Sequence, residues 1–333
     1  MGVAKGELNL LFTGVGRRVE LIRAFQRAYE NLGIRGKIVA VDADPLAPAF
    51  RVVHKSYVVP RSDAPEYVPT LLEICEEEGI DLLFPLIDPD VPVLAPYRDL
   101  FLGVGTKLVV VSPEVADLVT DKYSTGLFFA RLGLSTPATW LPGEVDPESL
   151  RYPLFIKPRR GSGSRYAFGV GTSRELEFFL GYVPEPIIQE YVPGPQIATD
   201  VIVGLDGKIL GAGSRRILEM RCGDVAKAAT VYMPDILEAS VAIVSALQAI
   251  GPIVGPINVQ CLLKGDVPYF TEINARFAGG SPLNIAAGVD SPSWLMAMAA
   301  DLPVDTPPLG SYEEGLVWVR YDESFYLRGG FYG

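Results

Sequence analysis

The sequence predicts a protein of mixed architecture, in which an α/β domain precedes an α+β region. Three observations support this prediction. In residues 1–112, short apolar runs alternate with helix-like segments, as in a small doubly wound domain. In residues 150–203, short strand-like runs alternate with glycine-rich and proline-rich turns, which is typical of a small antiparallel lid. From about residue 208 onward the strand-like runs are longer, and helix-like segments separate them.

The first 112 residues have the rhythm of a parallel sheet covered by helices. Apolar or β-branched runs at 8–12, 37–41, 82–85 and 107–111 predict strands, and segments 17–31 and 65–78 predict helices. A further helix is predicted over residues 113–132, because Gly133 and a proline follow it. We therefore expect a Rossmann-like domain that ends near residue 112.

Composition excludes several classes of protein. The chain has 333 residues, 49% of them hydrophobic and 21% charged, so it can form large cores in two or three structural units. Its net charge of -11 argues against a general nucleic-acid surface. His54 is the only histidine, and Cys75, Cys222 and Cys261 are widely spaced, which excludes zinc clusters and histidine-based triads. We expect a reducing, cytoplasmic location, because neither a signal peptide nor a continuous membrane span is visible.

The turn after the first predicted strand contains a partial glycine motif. Gly14 and Gly16 precede the helix that begins at Arg17, and this spacing resembles a dinucleotide-binding fingerprint. However, Val19 occupies the position of the third glycine, and the distance to Asp42 fits a ribose carboxylate only loosely. Two other interpretations remain open: a pocket for a small anionic substrate at the helix N-terminus, and a tight turn with solvated arginines.

A basic glycine-rich loop follows the apolar strand predicted near residues 152–156. Lys157 stands at the end of that strand and delivers a positive charge, while residues 161–164 can bring backbone N–H groups close to phosphates. The loop lacks the Gly-Lys-Ser/Thr sequence of a P-loop, so a P-loop NTPase is disfavoured. The alternative is a mobile surface hairpin. Downstream, residues 187–196 predict a connecting strand whose backbone groups can contact an adenine edge.

Polar side chains at strand spacing near residue 272 predict a site for the magnesium ion of a nucleotide. In an extended strand, Glu272, Asn274 and Arg276 point to the same face, and Gln260 lies on the neighbouring strand beyond a turn at residues 264–266. A carboxylate and two amide oxygens suit Mg²⁺, and the guanidinium supplies charge to phosphates. The alternative is an ordinary hairpin with a solvated polar face.

In this order along the chain, these motifs resemble the ATP-grasp superfamily, and specifically the ATP-binding module of the carbamoyl-phosphate synthase large subunit. The resemblance covers nearly the whole chain. It depends on the order of five short motifs, which are Asp121 and Lys122 at the start of a helix, Lys157 with its glycine-rich loop, and residues 189–192, 258–260 and 272–276. It implies a Rossmann-like domain at 1–112 and an ATP-grasp domain at 113–310, with a lid at about 150–203 and a metal and phosphate subdomain at about 204–310. A C-terminal strand and tail follow at 311–333.

The resemblance also implies roles for individual residues. Arg276 and Lys157 are the implied catalytic residues, and Gln260, Glu272 and Asn274 are the implied ligands of Mg²⁺, with Mn²⁺ as an alternative ion. The implied ATP-binding residues are Lys122, Lys157, Gly161, Ser162, Gly163, Ser164, Gln189, Glu190, Tyr191, Val192 and Gln196. Gln196 departs from the family pattern, since a carboxylate usually meets the ribose hydroxyls there. ATP affinity is therefore expected to be weaker.

The acceptor site is less well defined by the sequence. Residues 214–227 contain four cations, among them Arg215, Arg221 and Lys227, which suits an anionic substrate. A solvated amphipathic strand is the alternative interpretation. The acceptor set is completed by Gly14, Gly16 and Arg17, and residues 279–281 form a potential second anion nest.

The implied function is an ATP-dependent ligase that activates a carboxylate as an acyl phosphate for attack by an amine or another nucleophile. Two alternatives are a phosphotransferase acting on a carboxylate or carbamate, and a non-catalytic nucleotide-binding module. Carbamoyl phosphate synthesis itself is doubtful, because this chain has a single module. The expected partners are small molecules, with neither nucleic acid nor membrane, and a homodimer is compatible with the prediction.

Overall fold

The structure is a computed structural model that describes residues 6–221 and 223–327. Cys222 and residues 328–333 of the predicted C-terminal tail lie outside the described residues. The described residues form one parallel sheet and two antiparallel sheets. The predicted order of a Rossmann-like parallel sheet, an antiparallel lid and a C-terminal α+β region is confirmed.

The N-terminal sheet is parallel and has the strand order β3-β2-β1-β4-β5. Its central strand is buried on both faces, as expected for strands covered by helices on each side. The first helix turns its apolar residues, such as Leu21 and Phe25, toward the core and ends at Gly33, whose left-handed backbone (φ 64°) favours glycine. The elements of this region are β1 (Leu10–Thr13), α1 (Val19–Leu32), β2 (Ile38–Asp42), β3 (Lys55–Val58), α2 (Tyr67–Glu78), β4 (Leu82–Pro85), α3 (Asp90–Leu94), α4 (Arg98–Gly103) and β5 (Lys107–Leu108).

The helix predicted over residues 113–132 is wrong as a single element, because the structure divides it in two. The two helices are α5 (Pro113–Thr120) and α6 (Lys122–Arg131). Asp121 between them has an extended backbone, and its side chain accepts hydrogen bonds from the N–H groups of Tyr123 and Ser124. This N-cap starts a new helix at Lys122.

The lid is a four-stranded antiparallel sheet with the order β6-β9-β7-β8. One helix, which the sequence reading did not predict, packs on it through the buried Leu176. Thr172 caps this helix by accepting a hydrogen bond from the N–H of Glu175. The elements are β6 (Thr139–Trp140), β7 (Leu154–Pro158), β8 (Phe168–Val170), α7 (Ser173–Tyr182) and β9 (Pro186–Glu190).

The C-terminal sheet is antiparallel and has the order β14-β13-β10-β11-β12-β15. The predicted hairpin around residues 264–266 is present, with Gly265 at φ 64° in its turn. The elements are β10 (Gln196–Val203), β11 (Ile209–Arg221), β12 (Asp224–Thr230), α8 (Pro234–Gln248), β13 (Gly255–Lys264), β14 (Val267–Asn274), α9 (Ser281–Ala286), α10 (Ser291–Ala299) and β15 (Val317–Val319).

The uncharged run 239–263 is divided between α8 and β13. Among residues 6–221 and 223–327, no helix is long and apolar enough to cross a membrane.

Aromatic side chains join the C-terminal sheet to the N-terminal domain immediately after β14. Phe277 is buried, and its ring centroid lies 5.7 Å from that of Phe25 on α1 and 6.0 Å from that of Phe84 on β4. Arg276, the residue before Phe277, donates a hydrogen bond to the carboxylate of Asp88, which follows β4. The end of β14 is therefore fixed against the carboxyl edge of the parallel sheet, where ligand sites of such sheets are usually found.

Candidate functional site

A cavity of about 370 Å³ is lined by residues of the N-terminal domain, the lid and the C-terminal sheet. Most of the predicted phosphate and metal residues line it, on elements that are distant in sequence. Its charged and amide side chains are Arg18, Asp88, Lys122, Lys157, Arg165, Gln196, Arg215, Asp224, Asn258, Gln260, Glu272, Asn274 and Arg276.

The predicted metal ligands lie together on the hairpin of β13 and β14. Gln260 is directly opposite Glu272 in the strand register, and Asn274 lies two residues farther along on the same face. Within the described part of the chain, the Glu272 carboxylate has neither a hydrogen bond nor an ion pair. Across residues 6–221 and 223–327, no group of three His, Cys, Asp or Glu side chains could hold a metal. One carboxylate and two amide side chains therefore lie together here, and their oxygen atoms form a donor set that suits Mg²⁺.

Lys157 lies at the end of β7 and lines the same cavity as Glu272. Its ammonium group has no hydrogen-bond or ion-pair partner among the residues that the structure describes. Burial lowers the pKa of Lys157 to about 8, with Glu272 acting against that shift and Lys122 adding to it. A half-buried cation without a partner is poised to bind an anion such as phosphate.

Lys122 is held beside the glycine-rich loop by the break between α5 and α6. Asp121 forms hydrogen bonds of 2.6 and 2.9 Å to the guanidinium of Arg159, which keeps the start of α6 against the end of β7. The Lys122 ammonium donates to the carbonyl oxygen of Gly161 at 2.5 Å. The loop residues 161–164 line the cavity next to this lysine.

A chain of buried and partly buried hydrogen bonds connects three strands beside the predicted metal ligands. Gln196 donates to Gln260 Oε1 (2.7 Å), and Gln260 donates to Asn258 Oδ1 (2.9 Å). Asn258 in turn donates to Asp200 Oδ1 (2.8 Å). Asp200 is also paired with the two terminal nitrogens of Arg215, at 2.6 and 3.2 Å. Since each amide has fixed partners, the side chain of Gln260 is oriented before any ligand arrives.

Two guanidinium groups keep free donors near residues 279–280. The Nε atoms of Arg215 and Arg276 are buried and have no hydrogen-bond partner among the described residues. A Cβ atom placed on Gly280 would lie 2.5 Å from Nε of Arg215, so only glycine allows this approach. Burial opposes the charge of Arg276, but Asp88, whose carboxylate accepts from it at 2.8 Å, holds its pKa above the usual value. Both groups offer N–H donors to an anion in the cavity.

Arg18, rather than Arg17, lines this cavity. Burial and the nearby Arg276 lower its pKa to about 10, while Asp224 and Asp88 act in the opposite direction. Among the described residues, the one hydrogen bond of its guanidinium group is a 3.5 Å contact to the carbonyl oxygen of Leu86. Arg17, the arginine of this turn in the predicted acceptor set, lines a second cavity.

The connector predicted to contact adenine lies at the end of β9, outside the lining of the 370 Å³ cavity. Gln189 is buried and donates to Thr139, and Glu190 pairs with Lys264 on β13 at 2.9 Å. Val192 is buried, whereas Tyr191 is exposed. These residues lie at the entry to β10, whose first residue, Gln196, does line the cavity.

The predicted acceptor residues do not all lie together. Gly14 is packed against Ile87, and the N–H of Gly16 donates to Asp42 at 2.8 Å. Lys227 is paired with Glu219 at 2.5 Å on the neighbouring strand. Arg17 and Arg221 line a different cavity, so Arg215 is the one member of this set that lines the 370 Å³ cavity.

Sequence reasoning missed three residues of the site: Asp88, Asp200 and Asp224. Asp200 had a visible signal, because it is a charged residue in the middle of the apolar strand β10. Asp88 follows β4 at the carboxyl edge of a parallel sheet, a position where ligand-binding residues are common.

Comparisons with known proteins agree with this fold. Residues 119–280 match the model of the ATP-grasp domain, and residues 10–109 match the PylC-like N-terminal domain. The carbamoyl phosphate synthase large chain of Corynebacterium glutamicum is 26% identical over 236 residues, a match that covers 66% of this chain and 21% of that protein. This chain thus spans about a fifth of the length of that relative.

Two solved structures are similar in fold. A biotin carboxylase from Campylobacter jejuni, in a β-γ-ATP complex, has a TM-score of 0.71 at 18% identity, covering 93% of this chain and 74% of that chain. A biotin carboxylase domain dimer from Hydrogenobacter thermophilus, with MgADP, ADP and bicarbonate, has a TM-score of 0.70 at 17% identity, covering 91% and 71%. The chain is homologous to the carbamoyl phosphate synthase large chain, and its residues 119–280 belong to the ATP-grasp domain family.

Proposed function

We propose that this protein is an ATP-dependent ligase that activates a carboxylate as an acyl phosphate, which an amine or another nucleophile then attacks. One observation carries the proposal. Glu272 and Lys157, both without a partner among the described residues, line one cavity together with Gln260, Asn274 and Arg276. This combination provides oxygen ligands for a divalent cation beside cations for phosphate oxygens.

In this proposal, ATP lies between the lid and the C-terminal sheet. Lys122, Lys157 and the loop 161–164 hold its phosphates, the segment 189–192 meets the adenine, and Gln196 meets the ribose. The nucleotide complexes of the two biotin carboxylase structures support a nucleotide in this fold.

The cation of the proposal is Mg²⁺, with Mn²⁺ as the alternative ion. Gln260, Glu272 and Asn274 would hold it, and the fixed hydrogen bonds of Gln260 keep that amide beside the carboxylate. When bound, the cation neutralises charge on the phosphate oxygens.

The remaining cations serve the reacting groups. The carboxylate oxygen of the acceptor forms a bond to the γ-phosphorus, and the bond from that phosphorus to the leaving ADP breaks. Arg276 and Lys157 stabilise the negative charge on the transferring group, and the free Nε donors of Arg215 and Arg276 hold the carboxylate. The nucleophile then bonds to the carbonyl carbon, phosphate leaves, and the proton of the amine passes to solvent.

We extend the proposal to the cellular setting and the assembly. The protein acts in the cytoplasm on small molecules, without nucleic acid or membrane, either as a monomer or as a homodimer. Its functional units are residues 1–112, 113–310 and 311–333, with the lid at about 150–203 and the metal and phosphate subdomain at about 204–310.

Hydroxylamine trapping tests the proposed function. The purified chain, Mg-ATP and hydroxylamine are incubated with a panel of amino acids and small dicarboxylates, and hydroxamate and ADP are measured. We expect at least one acid to give equal amounts of both products. Phosphorus NMR without hydroxylamine shows whether an acyl phosphate persists, which would indicate a phosphotransferase. The absence of nucleotide binding and of ADP formation with every acid would refute a ligase.

A further inference from the structure

A second cavity, of about 470 Å³, lies between α1 and the C-terminal strand β15. Residues on successive turns of α1, namely Val19, Arg23 and Arg27, form one wall. The segment from Trp318 to Phe325 contributes the opposite wall. Neither the metal ligands nor the phosphate-binding lysines line this cavity, so the proposed ATP site leaves it without a role.

The second cavity meets the first at the beginning of β12. Asp224 and Val225 line both cavities, and the α1 turn contributes Arg18 to the first and Arg17 to the second. The Asp224 carboxylate lies so close to Gly279 that a Cβ atom there would be 2.4 Å from Oδ1. A molecule in the second cavity can therefore pass this carboxylate and reach the part of the first cavity near Arg215 and Arg276, where we place the carboxylate substrate.

The charges of the second cavity favour a ligand with a single negative group. Its lining contains five arginines and four carboxylates. Arg320 is paired with Asp224 at 2.6 Å, and Arg221 with Asp322 at 3.2 Å. Arg27 has no ion pair among the described residues.

The α1 arginines that do have ion pairs are held only loosely. Arg17 approaches Asp224 to 3.8 Å, and Arg23 approaches Glu323 to 3.7 Å. Arg23 and Arg27, on the α1 side of the cavity and away from Asp224, are thus available to bind a carboxylate.

The cavity is long and has an aromatic wall. The helix rise of about 1.5 Å per residue separates Val19 from Arg27 by about 12 Å, and an extended dipeptide spans about 7 Å of that length. Trp318 is fixed in place, because its indole N–H donates to Glu20 at 3.0 Å and the Arg320 guanidinium lies 5.4 Å from its ring centroid. These dimensions fit an extended amine with a terminal carboxylate better than ammonia or a methylamine.

The carboxylate of Asp224, which lines both cavities, is suited to bind an amine. Burial acts to raise the pKa of Asp224, but its hydrogen bond from Arg320 and the charge of Arg18 leave that pKa below its usual value. The group therefore stays ionised at neutral pH and can accept a hydrogen bond from an amine.

We propose that this second cavity binds the nucleophile of the ligase reaction, and that the nucleophile is an amino acid or dipeptide whose amine lies at Asp224 and whose carboxylate lies at Arg23 and Arg27. The proposal rests on the ligase function above and adds the class of its second substrate. It assigns the α1 arginines to recognition of that substrate and not to ATP or the acyl donor.

The test separates the two substrates with hydroxylamine, which is small enough to need no recognition by the second cavity. Once the panel has identified an acid that gives hydroxamate, the twenty amino acids and a set of dipeptides replace hydroxylamine, and ADP formation is followed. Arg23→Gln and Arg27→Gln are compared with Arg35→Gln, an exposed arginine of the same domain outside both cavities. Arg23 and Arg27 are themselves exposed, so their replacement is expected to leave the fold intact.

We expect Arg27→Gln to raise KM for the amine about tenfold, as for the loss of one charge-assisted hydrogen bond, and to leave hydroxamate formation unchanged. Arg35→Gln should match the wild type in both assays. An unchanged KM for the amine, or an equal loss with hydroxylamine, would overturn the assignment. The assignment would also be overturned if the enzyme formed hydroxamate but accepted no amino acid or dipeptide as the nucleophile. The absence of hydroxamate with every acid would instead refute the ligase function on which the assignment rests.

Discussion

The lowered pKa of Lys157 predicts that Mg-ATP binds more weakly as the solution becomes alkaline. Burial lowers this pKa from 10.5 to about 8 in the free protein. A phosphate beside the ammonium group favours its charged form, so the pKa rises again in the complex. Binding therefore takes up a proton at pH values between the two, and the affinity must fall as the pH rises through about 8.

The size of the effect follows from the fraction of Lys157 that is charged. With a pKa of about 8, roughly nine-tenths of the free protein carries the charge at pH 7 and roughly one-tenth carries it at pH 9. The dissociation constant of Mg-ATP should thus be about tenfold larger at pH 9 than at pH 7, and about half a proton should be taken up per ATP at pH 8.

Isothermal titration calorimetry in two buffers of different ionisation enthalpy measures both quantities. Lys157→Arg is the matched control, because a guanidinium stays charged throughout this range and should give a nearly flat profile. The free protein should show the opposite trend, with its unfolding free energy rising above about pH 8, since the unfolded lysine binds its proton more tightly. An affinity that is constant from pH 7 to pH 9, or an equal fall in Lys157→Arg, would refute the reasoning.

Three further predictions concern the same site. Glu272→Ala should abolish ADP formation while the unfolding midpoint stays near the wild-type value, because the carboxylate has no protein partner among the described residues; near-normal turnover would exclude its role as a metal ligand. Amide hydrogen exchange in residues 161–165 should slow when a non-hydrolysable ATP analogue is added, as expected of an exposed loop that closes over phosphates, and unchanged exchange would count against closure. Asp200→Asn should lower the free energy of unfolding by about 3–5 kcal/mol in urea denaturation, since it leaves Arg215 buried and unpaired, whereas Asp200→Asn combined with Arg215→Met should recover much of that loss.

The parts of the fold that follow from local patterns were predictable from the sequence. β4 (Leu82–Pro85) has the predicted bounds, α1 differs from prediction by one or two residues at its ends, and the hairpin of β13 and β14 has its predicted turn. Apolar periodicity and glycine turns determine these elements within a few residues of chain. The helix boundary at Asp121 has a local signal, because aspartate favours the N-cap position, but apolar periodicity alone predicts one helix over residues 113–132.

The grouping of Gln260, Glu272 and Asn274 was predictable, because two adjacent strands carry these residues at strand spacing. The acceptor side was not, since its residues come from several elements and their orientation depends on packing. Arg17 and Arg18 are neighbours with the same charge, yet one lines the second cavity and the other the first. Sequence alone has no means of assigning which of two adjacent arginines at a helix start turns inward. It likewise gives no sign that Arg215 is held by Asp200 across two strands.

The hydrogen bond between Lys122 and Gly161 bears on how fast nucleotide can associate. In the free protein this lysine is already occupied by a loop carbonyl, at 2.5 Å. An incoming phosphate must displace that carbonyl before it can accept a hydrogen bond from Lys122. The first encounter with ATP and the binding of its phosphate by Lys122 are therefore separate steps. Association monitored by stopped-flow should therefore reach a plateau rate at high ATP concentration, set by release of the loop, and not rise linearly toward the diffusion limit. The lysine that is proposed to hold phosphate is thus also the contact whose release limits how quickly phosphate is captured.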